Sequence, residues 1–243
     1  MVKSAVELLT TDQVAALTSS QIQGFSTLDL SYLTTEQVQA FTTDGIGYLT
    51  TKQVAGLTTR VVNALTTTQI QAMETSDVAV LKTAQLAVLT TDQGAALTTD
   101  QVVALTSAQV VGLTTAVVNA LTTTQIQAME TTDIAALKTT QIAKLTTDQV
   151  ANLTTDQIGV LKTAQLAAFA TDQVAALATN QVVALTSVQV AGLTTKVVNA
   201  LTTTQTQALE TTDVAVLKTA QLAALTTDQG AALTTDQVVA LTS

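Results

Sequence analysis

The 243-residue chain has no cysteine, no proline, no histidine and no tryptophan. Without cysteine there are no disulfides and no thiolate metal ligands, so the redox compartment leaves no mark on the sequence. Without histidine or cysteine, the common acid–base and nucleophilic side chains are missing, and the many serines and threonines have a structural use given below. Aromatic residues make up 2% and charged residues 11%. The net charge is −9, and the nine basic residues are scattered. Phosphate binding needs clustered Lys and Arg, so nucleic acid is not an expected partner. Long hydrophobic runs are missing too. A bilayer-spanning helix needs about 20 consecutive apolar residues, whereas Thr, Asp or Gln interrupts every run here, and no membrane insertion is expected. The opening MVKSAVELL lacks the apolar segment and small-residue cleavage site of a signal peptide.

What is present is order. Hydrophobic residues reach 47%, and they recur at fixed intervals, unlike those of a disordered chain. Leu9, Leu17, Phe25, Leu33, Phe41, Leu49, Leu57, Leu65 and Met73 begin a spacing of eight that persists to Leu241. Residues 10–241 form 29 octads with the consensus T-T-D-Q-V-A-A-L, and residues 2–9 form a degenerate one. Position eight is Leu, Phe or Met in all 29 octads, and position two is Thr or Ser in all 29. Position four is Gln in 21, and position five is Val, Ile or Leu in 26, the exceptions being Gly94, Thr206 and Gly230. The register never slips, so residues 1–243 read as one repeat array without an internal linker. Larger duplications lie on top. VVNALTTTQ begins at Val61, Val117 and Val197, and segment 193–241 largely repeats 57–105. These shifts include odd numbers of octads, so an alternating two-helix unit is disfavoured and every octad is expected to occupy an equivalent place.

The octad fits a short helix. In a strand, positions five and eight would face opposite ways. In one continuous helix, eight residues turn about 800°, and the apolar stripe would wind around the axis. In a short helix those positions share a face. Thr10-Thr11-Asp12-Gln13 matches the capping box, with Leu9 and Val14 placed as a hydrophobic staple. Asp12 favours the helix dipole. Helices this short need neighbours. The expected fold is therefore an all-α solenoid of very short capped helices, one per octad. Positions five and eight fill its core, small residues at seven allow close approach, and positions three and six face solvent. Where position one is Glu74, Lys82, Glu130, Lys138, Lys162, Ala170, Ala178, Glu210 or Lys218, the cap is free to move to position two.

No catalytic, cofactor-binding or metal-binding residue is expected. The Asp row that includes Asp92, Asp100, Asp148 and Asp156 serves the dipole better than calcium, because the Gly-rich and EF-hand calcium loops are absent. Glu74 precedes Lys82 by one octad, as Glu130 does Lys138 and Glu210 does Lys218; stacking of consecutive octads would make these weak surface ion pairs. The Thr ladders raise ice binding, but their hydroxyls are expected to serve backbone amides. Phe25, Tyr32, Phe41 and Tyr48 form an aromatic group suited to a terminal cap or a local binding spot.

LTTDQVVALTS, at Leu97–Ser107 and again at Leu233–Ser243, resembles the opening helix of the repeats in transcription activator-like effectors. The paired specificity position and following glycines of that family are absent here, so DNA binding is not carried over. Across its length the chain resembles the Thr/Gln/Ala/Leu-rich octad arrays of very large bacterial proteins. That resemblance implies a bacterial source, an extracellular or cell-surface location, and a spacer or adhesive role without catalysis. Thr242-Ser243 begins an octad, as in an excerpt from a longer array. The alternatives are a scaffold binding protein or peptide in a superhelical groove, and end-to-end self-association.

Overall fold

A computed structural model describes residues 5–241. Among them are 29 α-helices of four to six residues, preceded by one 3-10 turn at Ala5–Leu8, and no strand. Each octad from Thr10 onward forms one helix. Position one is the N-cap in extended conformation, and position eight leaves the helix, usually extended again. In one such link Leu57 has φ −59° and ψ 140°, and Thr58 has φ −72° and ψ 156°. The last helical bond is regular as well, for example Leu57 N–H to the Val54 carbonyl at 3.1 Å. No described residue has positive φ, so the glycines are not here for left-handed turns.

The capping box forms as the sequence predicts. The Thr10 hydroxyl accepts from the Gln13 amide at 3.2 Å, and the Thr10 amide donates to Gln13 Oε1 at 2.9 Å. One alternative that the sequence left open is decided. In the octads that begin with Glu, Lys or Ala, the cap does not move to position two: Glu74, Lys82 and Ala170 remain extended N-caps, and no side chain caps their helices. Half of the box survives, because the Lys82 amide still donates to Gln85 Oε1 at 2.7 Å. Register is held by the neighbouring turn of the coil, as the contacts of Gln show below, and so outweighs the loss of one hydroxyl.

The described residues form two compact units, divided between residues 128 and 129. In the first, helices pack on helices three octads away: Thr11–Ala15 on Thr35–Ala40, and Thr91–Ala96 on Thr115–Ala120. The second repeats the rule, with Thr171–Ala175 on Thr195–Ala200 and Thr211–Ala215 on Thr235–Ala240. Consecutive octads therefore follow one another around the coil and are not stacked. The rung-to-rung pairing expected of Glu74 with Lys82, and of its two repeats, has no stacked geometry to form in. Each unit is a solenoid.

Positions five and eight fill the axis of each unit. Val54, Val78, Val102 and Val110 in the first, and Ile134, Val150, Ile158 and Val174 in the second, are fully buried. Position eight is nearly so, as at Leu105 and Leu161. Position seven meets position two of the octad three earlier. A Cβ on Gly56 would come within 2.2 Å of Thr27 Cγ2, and one on Gly192 within 2.3 Å of Thr163 Cγ2.

Candidate functional site

The residue that organises the molecule is the Gln at position four. Its side chain is buried in most octads, at 1% exposure for Gln101 and Gln181. The oxygen closes the capping box, and the nitrogen reaches the previous turn of the coil. Gln101 Nε2 donates to the Met73 carbonyl at 2.7 Å and to the Ile70 carbonyl at 2.8 Å. Those acceptors lie 28 and 31 residues earlier. The same two steps recur at Gln37, Gln53, Gln69 and Gln85 in the first unit, and at Gln165, Gln181, Gln205 and Gln237 in the second. Since 28 residues are three and a half octads, a coil turn takes between three and four. The odd-numbered duplications anticipate this equivalence of octads; the ladder itself was not anticipated. One signal for it was available. A capping box accepts Glu as readily as Gln, yet position four is never Glu in this chain. Only the amide has donors to give.

In two octads without Gln, a neighbouring cation takes over part of its work. Val61 and Val197 occupy position four. The carbonyls 28 residues before them, Leu33 and Phe169, accept from the residue just ahead: Arg60 Nη1 to Leu33 at 2.6 Å, and Lys196 Nζ to Phe169 at 2.8 Å. Arg60 also donates to the Ser31 carbonyl at 2.6 Å. In the third such octad Ala116 precedes Val117, and Val117 packs against Gly94, whose Cβ would lie 2.6 Å from Val117 Cγ1. One exceptional glycine of position five is thereby explained. Another exception, Thr206, returns its hydroxyl to the Thr202 carbonyl at 3.0 Å and is fully buried. Position six reaches forward in the same octads: Asn63 Nδ2 donates to Val88 and Asn199 Nδ2 to Ala224. Positions three and six are therefore not purely solvent-facing.

Asp replaces Gln at position four in three octads headed by Glu: Glu74 with Asp77, Glu130 with Asp133, and Glu210 with Asp213. All three aspartates are 2% exposed. Ser187 Oγ donates to Asp213 Oδ1 at 2.7 Å, while Asp213 Oδ2 is buried without a hydrogen-bond partner. Burial, reinforced by the Glu74 carboxylate, pushes Asp77 up to about 6.

Little else converges. The Asp row of position three, including Asp92, Asp100, Asp148 and Asp156, is exposed, and among the described residues no group of three or more acidic side chains is arranged to hold a metal ion. The Thr hydroxyls at position one accept from first-turn amides, as at Thr98, Thr146 and Thr234, as the sequence predicts. The aromatic group separates: Phe41 is buried, Tyr32 and Tyr48 are exposed, and Phe25 is intermediate. A small apolar hollow beside Phe41 is lined by Leu30, Leu33, Leu57 and Val61, and Tyr48 borders a shallow cleft with Asp44 and Glu74. No helix among the described residues is long and apolar enough to cross a membrane.

A coil of one-helix octads, tied turn to turn by a buried side-chain amide, defines an all-α repeat protein of the solenoid class. Residues 25–59, 70–107, 102–131, 126–163, 159–187 and 206–243 each match the family model described as the ALTTAQ repeat. Those stretches cover well over half of the sequence, and the chain belongs to the ALTTAQ repeat family. No curated protein sequence matches it.

Proposed function

We propose that the chain is a structural spacer or adhesive segment of a large bacterial protein, displayed outside the cell, with no catalytic activity. The observation that carries this reading is where the polar groups go. Position-one threonine hydroxyls, position-four glutamine amides and several of the outlying Arg, Lys and Asn side chains bond within the chain. What remains outward is mostly short Thr, Ala and Asp side chains. A binding module commonly varies a few exposed positions between repeats, whereas segments 57–105 and 193–241 are nearly the same. Labelling of intact host cells with an antibody raised against the chain tests the location, and a signal only after lysis would remove the surface reading. Affinity capture from the host tests the role. A single tight partner engaging several turns would replace the spacer by a peptide- or protein-binding scaffold. Capture of further copies of the chain would show self-association.

A further inference from the structure

In a Gln octad the buried amide sets its N–H groups against two carbonyls of the previous turn. Asp77 stands in that place in the first unit, in the helix Thr75–Ala79, which packs on Thr51–Gly56 and on Thr99–Val103. The residues 28 and 31 earlier are Leu49 and Ile46. A carboxylate has only acceptors to offer such carbonyls; Asp77 takes a hydrogen bond from the Glu74 backbone, but burial outweighs it. In the second unit Asp213, at the equivalent position, leaves its buried Oδ2 without a hydrogen-bond partner. The charges around Asp77 do little to relieve it. Glu74 heads its own helix, and Asp44 lies across the cleft from Glu74. Thr51–Gly56 brings Lys52, Thr99–Val103 brings Asp100, and Lys82 starts the next helix, all of them exposed.

We propose that Asp77 is a proton-controlled link between turns of the coil. Ionised, it leaves the bond between octads 42–49 and 74–81 unmade; protonated, it offers a hydroxyl donor where Gln offers an amide. The proton goes to a carboxylate oxygen, and nothing else is gained or lost. The folded chain holds this proton more tightly than the unfolded chain does, since burial and Glu74 push the group up to about 6. The extra stability is therefore full below the ordinary carboxylate range and is lost as pH rises through about 6.

Hydrogen exchange on the full chain tests this, with protection corrected for the intrinsic pH dependence and referred to the Gln octad 146–153 of the second unit. From about pH 7.5 to about pH 5, relative protection over 42–49 and 74–81 should rise about tenfold. In Asp77→Asn the ratio should be flat. Asp77→Gln should be flat as well, protected at both pH values, and it carries the comparison if the Asn variant folds poorly. A flat ratio in the unaltered chain, or the same rise in either variant, overturns the proposal.

Discussion

A primary amide has one acceptor and two donors to satisfy, and burial makes each omission expensive. Gln101 satisfies all three: its oxygen takes the Thr98 amide, and its nitrogen takes the Met73 and Ile70 carbonyls. Gln101→Glu keeps the acceptor, loses both donors and buries a charge, so it should cost about 3 kcal/mol or more. Gln101→Met keeps the bulk and loses the bonds, at about 2 kcal/mol. Asp100→Asn, one residue away and exposed, should stay within about 0.5 kcal/mol. Urea denaturation of the three variants reads this order, and a Glu variant as stable as the Asn control would remove the ladder from the account. The local half of this amide was legible in the sequence, because the capping box lies within four residues. The other half was not, because its acceptors are 28 and 31 residues away and no local pattern marks a carbonyl.

The cations at Arg60 and Lys196 repeat the lesson with a different side chain. Each reads as an ordinary surface residue at position three, and the clue is the Val that follows. Lys196→Met should cost about 1 kcal/mol, because the Phe169 carbonyl loses its charged donor. Arg60→Met should cost more, since Arg60 holds two carbonyls, and Arg60→Lys should recover part of the loss. Equal stability of all three variants and the parent in thermal melts would mean that these carbonyls are adequately served by water.

At the scale of the element, each helix is a turn and a half that would not persist in isolation. Its start was legible from Thr, Asp and Gln, and its buried face from positions five and eight. The sequence left open whether the cap shifts where Glu74 or Lys82 replaces Thr, because one hydroxyl is a small term. A cap is worth about 1 kcal/mol, and moving it by one residue would carry Val78 or Leu86 out of the core. The contact between helices Thr91–Ala96 and Thr115–Ala120 offers a sharper test. Gly94→Val should destabilise by about 2 kcal/mol, because the new side chain collides with Val117. Val117→Gln alone should also destabilise, leaving its amide over a glycine-sized gap. The double change restores the consensus at both places and should recover most of the loss. Additive losses in this double-mutant cycle would mean that the two positions do not see each other.

For the whole molecule, equivalence of octads sets what the chain tolerates. Each Gln of the ladder described above meets a carbonyl at position five and another at position eight of an earlier octad, so removing a complete octad hands it equivalent partners from the octad before. Removing residues 178–185 from the second unit should therefore leave a folded solenoid. Stability in such repeats is a sum of unit and neighbour terms, so the loss should be a modest fraction of the total. Removing residues 178–184 is a smaller deletion with a larger consequence. It leaves Leu185 next to Leu177 and shifts the chain by one residue relative to its own earlier turn. Gln189 and Gln205 then face residues on the wrong side of the helix, and the core leucines turn outward. Circular dichroism melts separate the two cases. The eight-residue deletion should keep the parent's helical signal with a small drop in midpoint, and the seven-residue deletion should lose signal and cooperativity in that unit. If both deletions behave alike, register between turns is set by hydrophobic contact alone, and the amide ladder follows the fold without directing it.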